Sequence, residues 1–411
     1  MVAAGTDHTV LLKSDGSAVV VGYISPLSTC TGCKHCQIPT LAEGLSFTQA
    51  AAGLGHTVLL QSDGTAFAWG LDLDHQCRIP ALEKGVIYTQ VAAGHDHTVL
   101  LKSDGTAVAC GSNDYGQCQI PDLPVGVFYT QAAAGKVHTV LLKSDGTAIT
   151  VGGWHCRRKD LGDYVGGPDH PNTCKVPTLE PGITYTHAAA GHCHTVLLKS
   201  DGTAVAFGDA FPVSAVERFE IPPLPTGVIY TQAAAGLYHT VLLRSDGTAV
   251  AFGGARDANR TQCQIPSLPA GVTYTQVAAG HSHTVLLKSD GTAVAFGCNN
   301  QGQCEIPTLD VGVTYRQTLP VPRRIFQAHC ELGDEGILIR LLELSGKEYC
   351  HFTVPATEQL VAVQNRCMAA LALPSGAVAL PQGELLLHAS LRKPTDTLED
   401  LLGLSKRRRF T

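Results

Sequence analysis

The sequence is poor in several residue types that mark common classes of protein. Its 411 residues include 2 tryptophans and 2 methionines, and aromatic and charged residues make up 6% and 16% of the chain. The net charge is −6, so no basic surface for nucleic acid or for an anionic membrane is expected. No apolar run reaches the roughly 18 residues that a transmembrane helix needs. We therefore expect neither a membrane nor a nucleic-acid partner.

The motifs of common enzymes are absent from the sequence as well. It shows no recognisable phosphate-binding loop, dinucleotide fingerprint, paired-carboxylate motif or Ser-His-Asp set. We expect no catalytic activity and no bound cofactor. Six of the 15 cysteines recur at one position of a repeat, which favours buried thiols in a reducing compartment over a disulfide framework. This predicts a cytoplasmic or nuclear location.

The dominant feature of the sequence is a repeat with seven copies. The copies begin at His8, His56, His97, His138, His194, His239 and His283, and the last one reads His-Thr-Val-Leu-Leu-Lys-Ser-Asp-Gly-Thr-Ala-Val-Ala-Phe-Gly. Their spacing, about 45 residues, is typical of propellers and solenoids. The apolar run after the histidine predicts a strand covered on both faces. Asp-Gly predicts a two-residue turn with positive backbone angles, so each copy predicts a β-hairpin.

The repeat also fixes where the chain varies in length. An aromatic residue followed by Thr lies nine residues before the histidine in repeats two to seven, and a Cys or Phe followed by x-Ile/Val-Pro comes after each hairpin. Between the last glycine of the hairpin and that Cys or Phe, the steps are 14, 7, 7, 22, 11, 10 and 7 residues. Insertions confined to one loop of a repeat emerge on one face of the stack, which is the predicted binding surface.

The two ends of the array predict that it closes into a ring. The first repeat begins at Val2 without the aromatic strand that the others have, and the seventh ends with an aromatic strand around Tyr315 that no hairpin follows. Pairing the last strand with the first blade removes both exposed edges. We predict an all-β fold, a seven-bladed β-propeller over residues 1–317 that is closed by a C-terminal strand.

The pattern Ala-Gly-x-x-His-Thr-x-x-Leu-x-x-Asp-Gly resembles the repeat of the regulator of chromosome condensation (RCC) family. Gly111-Ser-Asn-Asp-Tyr-Gly-Gln117 and Gly297-Cys-Asn-Asn-Gln-Gly-Gln303 carry the loop portion of the family pattern, although Gln-Cys-x-Ile-Pro stands here in place of Gln-Leu-Gly. The resemblance implies a seven-bladed propeller like those of small-GTPase exchange factors, ultraviolet-B receptors and HECT-and-RLD ubiquitin ligases. Clustered tryptophans and a HECT domain are both missing, which argues against the last two activities.

Beyond the repeats, the sequence predicts a small α+β tail domain over residues 336–404. A linker, residues 318–335, is marked by Pro320-Val-Pro322. Residues 336–344 and 348–354 predict a hairpin, and Thr357 is placed to cap a helix. The strand-strand-helix-strand-strand order weakly resembles a ubiquitin-like β-grasp domain. Residues 405–411 form a basic tail, which is either a solvated end or a nuclear-import patch.

Two groups of residues are candidate sites. Cys30, Cys33, His35 and Cys36 have thiolate spacing compatible with zinc, although Cys36 belongs to the repeat and no metal site is expected overall. The seven repeated histidines predict a structural hydrogen bond in every blade. Interface-prone residues in the insertions form the predicted partner-binding set: Ile24, Lys34, Trp154, Arg157, Arg158, Tyr164, Phe211, Arg256 and Arg260.

The leading functional hypothesis is a monomeric, non-enzymatic scaffold or adaptor that presents its loops to a protein partner, with a link to ubiquitin signalling through the tail. The alternatives are a guanine-nucleotide exchange factor or other regulator of a small GTPase, and a chromatin-associated regulator.

Overall fold

The computed structural model describes residues 1–23, 38–153, 175–192, 194–208, 220–253 and 261–316, together with the backbone of residues 326–333, 336–343 and 348–354. The chain divides into two compact units, Met1–Thr318 and Leu319–Thr411. The first unit contains seven three-stranded antiparallel sheets, the blades, each formed by consecutive strands. The described part of the chain contains no helix with the length and apolar character needed to span a bilayer.

Each blade has an inner, a middle and an outer strand in chain order. The inner strands are β1 (Val2–Ala4), β4 (Phe47–Ala52), β7 (Tyr88–Ala93), β10 (Tyr129–Ala134), β13 (Tyr185–Ala190), β16 (Tyr230–Ala235) and β19 (Tyr274–Ala279). The middle strands are β2 (His8–Leu12), β5 (His56–Gln61), β8 (His97–Lys102), β11 (His138–Lys143), β14 (His194–Lys199), β17 (His239–Arg244) and β20 (His283–Lys288). The outer strands are β3 (Ala18–Gly22), β6 (Ala66–Gly70), β9 (Ala107–Gly111), β12 (Ala148–Gly152), β15 (Ala204–Gly208), β18 (Ala249–Gly253) and β21 (Ala293–Gly297).

The middle strands are buried on both faces, as the apolar run predicted. In blade 2, Val58 and Leu60 pack against blade 3, whereas Leu59 packs against blade 1. This alternation follows from the two-residue period of a strand. The same arrangement produces seven apolar clusters, one at each seam between neighbouring blades, including the seam between blades 7 and 1. The seven seams confirm the closed ring.

The ring closes in the inner strand of blade 1. Tyr315 bridges to Lys13 in the same register in which Tyr88 opposes Lys102 in blade 3. Its N–H donates to the carbonyl of Gly291 at 2.8 Å, as that of Tyr88 donates to Gly64 at 2.9 Å. Residues from the two ends of the array therefore build one inner strand for blade 1, Tyr315 at its beginning and β1 at its end.

The turn between middle and outer strands differs in detail from the predicted two-residue turn. Lys13 and Ser17 are joined by a three-residue loop, in which only Gly16 has a positive φ, 85°. The Asp15 carboxylate accepts hydrogen bonds from the N–H and the hydroxyl of Ser17, at 2.8 and 2.6 Å. This side-chain anchor favours a three-residue turn with glycine in the left-handed region.

The proline that follows each hairpin lies eight residues before the next repeated aromatic residue, and this constant spacing has a structural cause. The hydroxyl of Tyr88 donates to the carbonyl of Pro80, eight residues earlier, at 2.7 Å. The same bond recurs in the other blades that have a tyrosine at this position. It ties the connecting segment between blades to the start of the inner strand, so insertions are excluded from this interval.

The second unit contains a three-stranded antiparallel sheet of β22 (Phe326–Gly333), β23 (Gly336–Glu343) and β24 (Glu348–Val354). The pairing of β23 with β24 confirms the predicted hairpin. Strand β22 lies in the segment 318–335 that was interpreted as a linker, where the prolines obscured the alternating pattern Phe-Gln-Ala-His-Cys-Glu-Leu. Residues 355–411, with the predicted helix and basic tail, lie outside the described residues, and the β-grasp fold stays a prediction.

Candidate partner-binding face

The register of the strands places two features of the repeat on the same face of the propeller. In blade 2, His56 at the start of the middle strand opposes Gly70 at the end of the outer strand, whereas Gln61 opposes Phe47 at the other end. The turn between inner and middle strands therefore lies beside the exit of the outer strand, where the insertions begin. We call this side of the ring the loop face. The Ser-Asp-Gly turns lie on the opposite face.

The loops also return to the loop face. In the described loops, a glutamine precedes the repeated cysteine, and its backbone carbonyl accepts a hydrogen bond from a threonine near the start of a middle strand. Thr98 donates to Gln76, Thr139 to Gln117, Thr284 to Gln262 and Thr9 to Gln303, at 2.7–2.8 Å. Each loop is thus pinned to the rim at its end.

The partner-binding residues that the sequence predicted all belong to insertions outside the described residues. They are Ile24 and Lys34 in blade 1, Trp154, Arg157, Arg158 and Tyr164 in blade 4, Phe211 in blade 5, and Arg256 and Arg260 in blade 6. The candidate zinc ligands Cys30, Cys33, His35 and Cys36 lie outside them as well. The described residues that flank these insertions, such as Tyr23, Gly153, Gly208 and Gly253, lie at the loop face.

The repeated histidines join the blades near the loop face, which confirms their predicted structural role. Each Nε2 lies 2.9–3.0 Å from the threonine hydroxyl of the next blade, and the pairs form a closed belt: His8–Thr57, His56–Thr98, His97–Thr139, His138–Thr195, His194–Thr240, His239–Thr284 and His283–Thr9. Thr98 gives its one hydroxyl proton to Gln76 and must accept from His56. The Nε2 atom of His56 therefore carries the proton.

In six of the seven belt histidines, the other imidazole nitrogen has no hydrogen-bond partner. The Nδ1 atoms of His8, His56, His97, His138, His239 and His283 are buried without one. Burial lowers the pKa of His97 to about 3 and that of His138 to about 4. These imidazoles are neutral at pH 7 and link neighbouring blades.

A collar of seven glycines surrounds the propeller axis at the loop face. They are Gly5, Gly53, Gly94, Gly135, Gly191, Gly236 and Gly280, each directly after an inner strand. A Cβ atom on Gly94 would collide with the carbonyl oxygen of Gly135 and with the imidazole of His97. The same collision, with the next blade and with its own histidine, arises at the other six. The Ala-Gly sequence is thus required by the close approach of neighbouring backbones.

The residue after each collar glycine is fixed by a backbone hydrogen bond to the next blade. The N–H of His95 donates to Gly135, that of Lys136 to Gly191, and that of His192 to Gly236, at 3.0–3.2 Å. Seven such bonds complete a circle around the axis, and His281 donates to Gly5 to close it. These positions are therefore rigidly mounted, and their backbone N–H groups are already used.

These rigid positions carry side chains that differ from blade to blade. The axial dipeptides, as we call the two residues after each collar glycine, are Thr6-Asp7, Leu54-Gly55, His95-Asp96, Lys136-Val137, His192-Cys193, Leu237-Tyr238 and His281-Ser282. The first residues of the dipeptides line an open depression on the axis. Sequence reasoning overlooked them as a site. Their signal was present, however, because no two blades of this near-identical repeat share a dipeptide.

Three histidines and a lysine gather around this depression. The rings of His95 and His192 meet edge to face with centroids 6.4 Å apart, and the ring of His192 lies 6.2 Å from that of Tyr238. Nδ1 of His95 lies 2.5 Å from a carboxylate oxygen of Asp96, and Nδ1 of His281 lies 3.1 Å from the hydroxyl of Ser282. In both dipeptides, the second side chain thus holds the ring of the first.

The local charges follow from burial and from these neighbours. Burial, followed by the positive charges of Lys136, His95 and His281, lowers the pKa of His192 to about 3. Burial also lowers the pKa of His281, against the opposing charge of Asp7. Burial raises the pKa of Asp96, but the hydrogen bond and charge of His95 outweigh this effect and leave it below the usual value. At pH 7 the arrangement therefore presents His192 and His281 as neutral imidazoles beside Lys136.

Within the described ranges, no group of three or more His, Cys, Asp or Glu side chains is placed to hold a metal ion. The thiols of Cys77 and Cys110 are poor nucleophiles, since burial raises the pKa of Cys77 to about 12 and that of Cys110 to about 11.

Comparisons with known proteins agree with this architecture. The family model described as "Regulator of chromosome condensation (RCC1) repeat" matches residues 88–117 and 274–303. The structure of Prp20p from Saccharomyces cerevisiae is 18% identical with a TM-score of 0.52, over 80% of this chain and 90% of that one. Human WBSCR16 is 20% identical with a TM-score of 0.51, over 74% of this chain and 91% of that one.

A comparison with curated protein sequences finds no match. At 18–20% identity, the structural similarities establish the fold. The matched repeats, the seven apolar seams and the closing strand independently indicate the same propeller fold. The chain therefore carries repeats of the regulator of chromosome condensation type, and these close into a seven-bladed β-propeller.

Proposed function

We propose that this protein is a non-enzymatic interaction scaffold or adaptor, which binds a protein partner on the loop face of its propeller. One observation carries the proposal. The variation among nearly identical repeats is concentrated on one face, where the insertions begin and where the first residues of the seven axial dipeptides surround the axis. Variable residues on one face of a repeat protein are typical of its binding surface.

These residues are held rigidly, which suits them to binding a protein partner. The belt of histidine–threonine bonds and the circle of backbone hydrogen bonds hold the axial dipeptides with little freedom. Side chains that are already ordered lose less conformational entropy when a partner binds. The insertions of blades 1, 4, 5 and 6 begin at the edge of the same rigid platform, and such loops commonly carry binding residues.

A protein partner fits the known behaviour of related propellers. The structure of yeast Prp20p was described together with its binding to Gsp1p and histones. The net charge of −6 favours a protein over nucleic acid as the partner of this chain. We place the function in the cytoplasm or nucleus. A link to ubiquitin signalling depends on the β-grasp fold predicted for residues 336–404, and determining the fold of that segment tests it.

Quantitative affinity capture from cell lysate tests the scaffold proposal. The intact chain is compared with a variant in which residues 153–173 are replaced by the short blade 3 sequence, residues 112–117. The control is Val125→Asp with Val311→Asp, two fully exposed residues in turns at the opposite face. We expect partners to be lost from the loop variant and kept by the control. Loss from the control alone would contradict the proposal.

A nucleotide-release assay separates the scaffold from a regulator of a small GTPase. A panel of purified GTPases is loaded with a fluorescent guanine nucleotide, and its release is followed with and without the intact chain. The scaffold proposal predicts release at the intrinsic rate for every GTPase. Accelerated release from any of them would replace it with an exchange factor.

A further inference from the structure

The basic side chains at the axis come from blades 3, 4, 5 and 7, on an arc of the ring that also holds Leu237 of blade 6. Lys136 of blade 4 lies between His95 of blade 3 and His192 of blade 5, and His281 of blade 7 is close enough for the lysine charge to affect it. The remaining first positions of the axial dipeptides, Thr6, Leu54 and Leu237, are uncharged. The nitrogen-bearing side chains are thus concentrated within one half-buried depression.

In two of these imidazoles, those of His95 and His281, the Nε2 atom is available to a ligand. Asp96 engages Nδ1 of His95, and Ser282 lies against Nδ1 of His281. Among the described residues, none hydrogen-bonds Nε2 of either ring. Because the backbone N–H groups of these residues are used in the circle around the axis, a ligand in the depression is recognised by side chains alone.

The composition of the arc selects the class of ligand. A lysine ammonium offers three N–H donors and no acceptor, and an imidazole that takes up a proton offers two. Asp7 and Asp96 are the carboxylates close to this cluster, and Asp96 is already engaged by His95. Several convergent donors with one permanent positive charge match an oxyanion, which accepts multiple charge-assisted hydrogen bonds.

We propose that His95, Lys136, His192 and His281 form an oxyanion-binding site on the propeller axis. We assign its occupant as a carboxylate from an acidic side chain of the protein partner. This assignment rests on the scaffold function proposed above. The carboxylate binds Lys136 directly and the imidazoles through N–H donors. The glycine collar forms the floor of the site, so the acidic side chain enters from the loop face.

Binding at this site is coupled to proton uptake. In the free protein, burial and Lys136 keep His192 and His281 neutral, while the charge of Asp7 opposes this effect on His281. An anion beside the rings favours their protonated forms and raises their pKa values. The bound state therefore holds more protons than the free state, and the affinity for an anion rises as the pH falls.

The test uses NMR of histidine-labelled full-length chain. Imidazole signals of His95, His192 and His281 are followed during titration with sodium sulfate, whose charge is constant across the pH range, and with an acetylated tri-glutamate peptide. We expect saturable shifts with both probes, and tighter binding at pH 6 than at pH 8. Loss of the ammonium in Lys136→Leu should weaken the affinity about tenfold or more, as expected for a charge-assisted hydrogen bond.

The other repeats show which substitutions the fold tolerates at these positions. Leucine occupies the position of Lys136 in blades 2 and 6, so Lys136→Leu and His192→Leu should fold normally. Thr6→Leu, three blades away from Lys136, introduces the same leucine without removing a basic group, so it is the matched control and should bind both probes like the original chain. Absent shifts, or shifts that Lys136→Leu leaves unchanged, overturn the site. Binding of sulfate without tri-glutamate overturns the carboxylate assignment.

Partner capture with Lys136→Leu separates this proposal from the scaffold function. If the partner is lost from the loop variant but retained by Lys136→Leu, the scaffold function holds and the axial occupant is not the partner's acidic side chain. Weaker capture by Lys136→Leu than by Thr6→Leu supports both.

Discussion

Nε2 of His283 lies 2.9 Å from the hydroxyl of Thr9, a hydrogen-bonded pair of residues that are 274 positions apart in the chain. The pair belongs to the same belt that joins every other pair of neighbouring blades. The hydroxyl of Thr9 in turn donates to the carbonyl of Gln303 at 2.8 Å. The seam between the last and first blades is thus built like the internal seams, and the propeller has no weakly joined end.

Removing the hydroxyl at this seam should destabilise the whole propeller. Thr9→Val leaves the Nε2–H of His283 and the carbonyl of Gln303 buried without partners, which costs about 3 kcal/mol. Thr139→Val, at an internal seam with the same two bonds, is the matched variant. Urea denaturation should give similar losses for both. A negligible loss for Thr9→Val beside a large loss for Thr139→Val would indicate an open ring.

The glycine collar should be far less tolerant than other glycines of the repeat. In Gly94→Ala the new methyl group would collide with backbone of the next blade, so we expect a loss of about 3 kcal/mol or more. Gly85→Ala adds a methyl group with nothing within 4 Å, and its cost comes from the φ of 86°, about 1–2 kcal/mol. Thermal denaturation measures both. Equal losses would show that the collar has room to adjust.

One seam among the described blades should be strengthened by a single substitution. The amide of Gln90 in blade 3 donates to the carbonyl of Ala132 and accepts from its N–H, at 3.0 Å for both bonds. In blade 5 the equivalent residue is His187, whose Nδ1 is buried without a partner and whose pKa burial lowers to about 4. His187→Gln should restore this bridge to blade 6 and stabilise the protein by about 1–2 kcal/mol.

The reverse substitution serves as the control for this seam. Gln90→His should remove the bridge between blades 3 and 4 and lower the midpoint of thermal unfolding by a comparable amount. If His187→Gln lowers the midpoint as well, the glutamine does not fit the seam between blades 5 and 6.

Mild acid should unfold the propeller with uptake of several protons. Burial holds the pKa of His8, His97 and His239 at about 3 and that of His56, His138 and His283 at about 4, whereas an unfolded histidine titrates near 6.5. The unfolded state therefore binds more protons below about pH 6.5, and the stability falls as the pH is lowered toward 4. Urea midpoints measured at several pH values between 7 and 4 should decline steeply. A constant midpoint from pH 7 to 5 would contradict buried, neutral histidines.

The predicted elements that held were those with a local physical cause. The double-sided apolar run identified the middle strands, and the fixed intervals identified the face from which insertions emerge. The turn was less accurate, because the Asp15 carboxylate bonds to Ser17 and lengthens it to three residues. The strand Phe326–Gly333 was missed because the prolines before it favoured a linker.

The location of the candidate site could not be predicted from the repeat pattern alone. The sequence drew attention to long insertions because length differences are visible in one dimension. His95, Lys136, His192 and His281 come from four different blades, and their meeting at the axis depends on closure of the ring. Their variation between repeats was visible in the sequence, but its location was not.

By itself, the sequence determined the unit, the number of blades and the closure of this protein. A double-sided apolar strand, a glycine turn and complementary ends leave few other ways to bury the repeat. The tertiary structure decided that the glycines form a collar, that the histidines form a belt, and that the variable dipeptides converge on the axis. These features depend on contacts between blades, some 40–60 residues apart at the internal seams and 274 residues apart at the closing seam, which form only in the folded propeller.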